Sequence, residues 1–214
     1  MALSTLSRES LAELLTRLTM TEEASKYLDG RGITEAGRST FRLGVVPPDA
    51  PIEWRRFAGM LAIPYDTVSG PVAVKFRRLD GGSPKYDGPA GQKSHLFNVK
   101  ATLDPGPQIV ITEGEFDAIT LHGECGIPAV AVPGASAWKH HYPRCVNTFP
   151  DVVILTDNDA KSDGSNPGFE LAMKIKETVR DSRVVSLPAG EDVNSFFTRY
   201  GKEALIELIP DTPQ

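Results

Sequence analysis

Three acidic features of the chain stand where carboxylate oxygens could share a metal ion. Glu113, followed by Gly114, closes the apolar run of "IVITEGEFD"; Asp157 and Asp159 close "VVILTDND"; Asp192 follows "RVVSLP" in "LPAGEDVN". In an extended chain, residues i and i+2 project to the same side, so Asp157 and Asp159 can face one cation. Mg²⁺ takes carboxylate and water oxygens and leaves positions for substrate phosphates. Acids without His or Cys at ligand spacing favour Mg²⁺ or Mn²⁺ over zinc. Taken singly, a Glu-Gly is ordinarily a turn, a DxD a loop or helix cap, and "LPAGED" a helix start. Their succession, each at the end of a Val/Ile/Leu run, sets them apart. A further acid, Asp163, lies in the loop "AKSDGSNPG". It is expected to hold that loop, and its reach toward the metal stays open.

The hydrophobic rhythm shows what must position these acids. After "DPGP" at residues 104–107, short Val/Ile/Leu runs ("QIVIT", "IPAVAV", "DVVIL", "SRVVSL") alternate with helical stretches. That alternation predicts an α/β unit with a parallel sheet covered on both faces. Ligands of such sheets gather at the carboxyl ends of the strands, where the three acidic features fall. Before "DPGP" the pattern differs. Leu11, Leu14, Leu15 and Leu18 recur at helical spacing, and Thr21 caps a second helix that Gly30 or Gly32 ends. "GMLAIPYD" and "GPVAVKFRRL" then read as a small antiparallel sheet. The expected division is 1–106, a small α+β subdomain, and 107–214, the metal-binding unit. Lys75, Arg77 and Lys85 lie on or beside the small sheet, where they can contact phosphates of a nucleotide or a single-stranded template.

Composition sets the outer bounds. With 40% apolar and 24% charged residues, the sequence belongs to the soluble globular class. It has neither a run long enough for a membrane span nor a signal-peptide h-region, so no membrane partner and a cytoplasmic setting are expected. Cys125 and Cys145 make no CxxC pair, and the adjacent His140 and His141 point to different helix faces. The net charge of −5 is unevenly spread. Residues 1–107 hold 14 Lys/Arg against 12 Asp/Glu, and residues 108–214 hold 9 against 16. A mildly basic half joined to an acidic one suits phosphate contact by the first and metal binding by the second.

The stretches "IVITEGEFDAITLHGECGIPAVAVPGASAW", "DVVILTDNDA…GFELAMKI" and "LPAGEDVNSFF" resemble a Toprim domain. That fold is shared by bacterial-type primases, type IA and II topoisomerases and OLD-type nucleases. The preceding segment discriminates among them. "YLDGRGI", "LGVVP", "IPY", the arginine-rich "KFRRL" and "PKY" resemble the basic subdomain that precedes Toprim in bacterial-type (DnaG-like) primases. The likeness covers about residues 24–209. It implies synthesis of short RNA primers on single-stranded DNA by metal-dependent nucleotidyl transfer from NTPs. Glu113, Asp157 and Asp159 would hold the metal, Asp192 would be a further ligand, and Asp117 would orient the site. Whether Glu113 is a ligand or an acid/base stays open. The pattern is departed from in three places. Val193-Asn194 stands where the family commonly has Pro-Asp, the Asp163 loop is long, and the zinc ribbon and helicase-binding domain of full bacterial primases have no counterpart. The last point implies a separately encoded zinc-binding or helicase partner and a phage or mobile-element origin. The alternatives are a Toprim nuclease or phosphodiesterase and a non-catalytic single-strand-binding accessory subunit.

Overall fold

The computed structural model describes residues 7–104, 106–134, 137–158 and 166–210. The chain divides into two compact units, Met1–His95 and Leu96–Gln214.

In the first unit, three helices each start at a hydroxyl cap. α1 (Arg8–Arg17) begins where Ser7 Oγ accepts from the Ser10 amide, α2 (Glu22–Asp29) where Thr21 Oγ1 accepts from Ala24, and α3 (Glu35–Thr40) where Thr34 accepts from Gly37. Gly30 ends α2. The leucines spaced along α1 bury Leu11, Leu14 and Leu15. They pack with Trp54, Phe57 and Phe76, the last two stacked at 4.0 Å between ring centres. Strands β1 (Gly44–Val45), β2 (Leu61–Thr67), β3 (Gly70–Arg77) and β4 (Tyr86–Asp87) form an antiparallel sheet in chain order. Beyond β4 the Gln92 side chain extends the pairing. Its amide accepts from the Val74 N–H and donates to the Val74 carbonyl.

The second unit starts before the "DPGP" stretch that the sequence pattern marks as the boundary. Leu96 and Ala101 lie in its core, Phe97 bridges to Ala131, and Asn98 Nδ2 donates to the Ala129 carbonyl at 2.8 Å. Short polar loops break sequence rhythm wherever they occur, whereas the unit boundary follows where apolar side chains are buried. Four strands, β5 (Gln108–Thr112), β6 (Ala129–Ala131), β7 (Asp151–Thr156) and β8 (Ser182–Ser186), make a wholly parallel sheet in the order β6-β5-β7-β8. Crossovers run through α4 (Glu115–Ile119), α5 (Pro143–Val146) and α6 (Pro167–Lys176), and α7 (Val193–Leu208) follows β8. α4 continues as a π-helical turn, Thr120–Cys125, which Gly126 closes at φ 74°. Gly201, at φ 88°, breaks α7. β5 and β7 are buried throughout, as their unbroken apolar runs predict. β8 is at most half-buried, because it forms the sheet edge.

The strand origins are fastened at Asp151. Its carboxylate accepts from Gln108 Nε2 at 2.8 Å and from Arg183 Nε and Nη2 at 3.1 Å each. This one buried acid joins the beginnings of β5, β7 and β8. Asp151→Ala would leave the Gln108 amide and the Arg183 guanidinium without it, and is expected to lower stability by about 3 kcal/mol. A shift of the urea midpoint by circular dichroism measures this, and an unchanged midpoint contradicts the assignment.

Candidate metal and nucleotide site

At the opposite end of the sheet, parallel pairing brings the predicted acids of β5 and β7 together. Ile111 is in register with Ile154, so Glu113 and Asp157 leave adjacent strand tips. Both are half-buried. Gly168, in the first turn of α6, faces both the Glu113 carboxylate and the Asp157 main chain. A Cβ placed there would stand 3.0 Å from Glu113 Oε2, 3.0 Å from Thr156 Oγ1 and 3.2 Å from the Asp157 carbonyl. The Thr156 hydroxyl donates to that carbonyl at 3.0 Å. The head of α6 therefore presses onto the strand tips, and the absence of a side chain at 168 leaves the space that the Glu113 carboxylate occupies. Gly168 was missed by sequence reasoning. Its signal was a glycine in the first turn of an expected helix, where alanine is the better helix former and a glycine can mark a close approach.

The other predicted acids are distributed as follows. Asp117 is buried in the first turn of α4, with Oδ2 only 2.5 Å from where a Gly114 Cβ would lie, so it packs directly over the residue after Glu113. The Thr112 hydroxyl donates to the Gly114 carbonyl beneath it. Asp192 is the N-cap of α7. Its Oδ1 accepts from the Ser195 amide at 2.6 Å and Ser195 Oγ accepts from the Asp192 N–H, a reciprocal capping box. Neighbouring Glu191 is buried, bonded to Ser195 Oγ and ion-paired with Arg199. Asn158, between the two aspartates of "DND", ties this loop to β7: its Nδ2 donates to the Leu187 carbonyl and its own carbonyl accepts from Gly190. Asp159 and Asp163 lie outside the described residues. Among the described residues, no three His, Cys, Asp or Glu side chains gather as a metal-holding group. The strand-tip donors are oxygens throughout, held where a Cβ is excluded, and that donor chemistry fits a hard divalent cation.

In the first unit, residues far apart in sequence converge on one cation–aromatic cluster. Arg77 on β3 is 7% exposed, with its guanidinium 5.0 Å from the ring centres of both Tyr27 and Tyr86 and Nη1 donating to Tyr86 Oη at 2.7 Å. Lys75, two residues earlier on β3, sets its ammonium 4.5 Å from the Tyr86 ring. Arg31 Nε donates to Tyr27 Oη, and its guanidinium lies 5.1 Å from the Tyr27 ring centre. Lys85 is exposed beside Tyr86, its carbonyl held by the Arg78 amide. Lys75 and Arg77 are thus built into the cluster, and Lys85 stands at the surface. Tyr27, Arg31 and Tyr86 are additions to the sequence-derived set. They sit in "YLDGRGI" and "PKY", whose spacing gave no sign that the two segments meet.

Residues 108–203 match the Toprim domain family. The gene 57 protein of Mycobacterium phage D29 is 42% identical over 158 residues, 72% of this chain and 99% of that protein. The DNA primase of Thermotoga maritima is 27% identical over an alignment covering 97% of this chain and 43% of that protein. The chain belongs to the DnaG-like primase core family. The fold agrees: a DnaG primase catalytic domain solved bound to single-stranded DNA superposes with a TM-score of 0.76 at 21% identity, covering 94% of this chain and 79% of that one. This primase-family chain spans less than half the length of the Thermotoga relative. The strand-tip acids lie within the Toprim match, and the cation–aromatic cluster lies in the segment before it. Among the described residues, no helix is long and apolar enough to cross a membrane.

Proposed function

We propose that this primase-family chain is a catalytic core that synthesises short RNA primers on single-stranded DNA. The observation that carries the reading is the pairing of Glu113 and Asp157 at adjacent parallel strand tips, with Gly168 cleared beside them, in a chain of primase sequence. Glu113, Asp157 and Asp159 would hold Mg²⁺ or Mn²⁺, with Asp192, in the segment after β8 and so beside the β7 tip in strand order, as a further ligand. When bound, the metal supplies charge neutralisation for the triphosphate and lowers the barrier to loss of pyrophosphate. The chain's own residues do the positioning. Asp117 over Gly114 fixes the peptide that carries Glu113, and Thr156 orients the Asp157 carbonyl. Glu113 acts either as ligand or as the acid/base that receives the proton of the primer 3′-hydroxyl.

The Tyr27–Arg31–Lys75–Arg77–Tyr86 cluster, with Lys85, offers cations for phosphates and aromatic rings for bases of the template or the incoming nucleotide. Lys85→Ala is expected to weaken single-stranded DNA binding a few-fold and to reduce the slope of log affinity against log salt by about 0.7. An unchanged slope in a fluorescence-anisotropy salt series removes Lys85 from the phosphate contacts. A zinc-binding initiation subunit or a replicative helicase is the partner class this core would take.

The deciding experiment incubates the purified chain with single-stranded DNA, labelled ribonucleotides and Mg²⁺ or Mn²⁺. Short RNA products that disappear in Asp157→Asn support the reading. Shortened DNA without incorporation identifies a Toprim nuclease, and binding with neither reaction identifies an accessory subunit.

A further inference from the structure

Position 194 departs from the primase pattern, and its surroundings account for the departure. Asn194 is in the first turn of α7, two residues after the Asp192 cap, and is 4% exposed. Its Nδ2 donates to Thr120 Oγ1 at 3.0 Å, and the Thr120 hydroxyl donates in turn to the Phe116 carbonyl at 2.9 Å. Thr120 is fully buried and is the first residue of the π-helical turn that extends α4. π-helical turns are uncommon and concentrate at functional sites. Phe116 sits in the first turn of α4 beside Asp117, whose carboxylate covers Gly114. Hydrogen bonds thus tie the first turn of α7, the helix capped by Asp192, to α4, the helix that opens directly after Gly114.

Local preference at this position favours the other residue. A carboxylate in the first turn of a helix is stabilised by the helix dipole, and an amide gains little from it. The presence of asparagine therefore points to its N–H donors. The single Thr120 proton goes to Phe116, so Thr120 Oγ1 must accept from its other neighbour. An ionised aspartate has nothing to donate.

We propose that Asn194 is a positioning residue, which locks the Asp192 cap of α7 to the Glu113 strand end through Thr120, and that position 194 is not a metal ligand in this chain. The consequence for metal binding rests on the primase reading given above. The hydrogen-bonded tie itself does not depend on that reading.

The test compares Asn194→Ala, Asn194→Asp, Thr120→Val, Thr120→Ser and the Asn194→Ala/Thr120→Val double variant of the full chain. Two quantities are read: Mn²⁺ affinity and stoichiometry by electron paramagnetic resonance, and primer synthesis against NTP concentration. Loss of an outer-shell hydrogen bond is expected to lower kcat about tenfold and to weaken Mn²⁺ binding by a comparable factor. Asn194→Ala, Asn194→Asp and Thr120→Val should each show both losses, with KM for NTPs within about twofold of the wild type because no substrate contact is removed. The double variant should be no worse than the more severe single change, and Thr120→Ser, which keeps the hydroxyl, should match the wild type. Tighter Mn²⁺ binding, or an extra bound Mn²⁺, in Asn194→Asp would make 194 a ligand position and overturn the proposal. Multiplying losses in the double variant, or wild-type Mn²⁺ affinity in Thr120→Val, would overturn it as well. If a variant at 194 does not fold, the contrast between Thr120→Ser and Thr120→Val decides. If the wild-type chain makes no primers, the primase reading fails, and the urea midpoints of the single and double variants still decide the tie: a double variant no less stable than the worse single change supports it, and additive losses overturn it.

Discussion

Asp157→Asn is expected to reduce template-directed ribonucleotide incorporation about a thousandfold with little change in melting temperature. The asparagine keeps the size of the side chain and removes its charge. The residue is half-buried at the end of β7, so the strand's buried apolar contacts, Val152 to Leu155, are untouched. What changes is the attraction for a divalent cation in a site whose donors are all oxygens. Loss of about 4 kcal/mol of charge stabilisation in the transition state corresponds to that factor. Single-turnover incorporation at saturating template gives the rate, and direct Mn²⁺ binding gives the affinity. Unchanged incorporation would show that Asp157 holds no metal needed for the reaction.

Gly168→Ala should likewise cost activity while stability is kept, for a different reason. Alanine is favoured over glycine by about 1 kcal/mol in a helix interior and in the same direction in the first turn, where Gly168 lies, so backbone propensity predicts a protein at least as stable. The new methyl would sit 3.0 Å from Glu113 Oε2 and Thr156 Oγ1, closer than carbon normally approaches oxygen. Thr156 is buried and cannot retreat, and the Asp157 carbonyl on the same side is backbone. The Glu113 carboxylate is the group left to move. Displacing a reacting group by a fraction of an ångström to one ångström costs about a hundredfold in rate. We therefore expect activity to fall by about that factor while the urea midpoint holds or rises. A variant with wild-type activity would mean that Glu113 lies clear of the reaction.

The two expectations probe parts of the site with different origins. The three acidic features were visible in sequence because each closes a Val/Ile/Leu run, and a parallel sheet exposes the carboxyl ends of its strands along one edge. The fold class and the helix starts at Ser7, Thr21 and Thr34 were equally visible, since caps and apolar periodicity are local properties. β8 illustrates the limit. "RVVS" looks like an interior strand, but the strand order places it at the edge, and order is not encoded in the composition of one strand. The unit boundary is a second case. Leu96, Phe97 and Asn98 belong to the sheet of the second unit through contacts with residues some thirty positions later.

Local sequence thus determined the elements of this protein, the positions of its acids at strand ends, and its membership of the primase family. Tertiary structure decided which side chains meet. Tyr27 and Tyr86 close on Arg77, Gly168 clears space for Glu113, and Asn194 reaches Thr120 across 74 residues. Each of these contacts joins segments whose spacing in the chain carries no period, so no window of sequence contains both partners. Their geometry is set by the burial of apolar faces elsewhere in each unit, which brings the polar groups together as a consequence of packing.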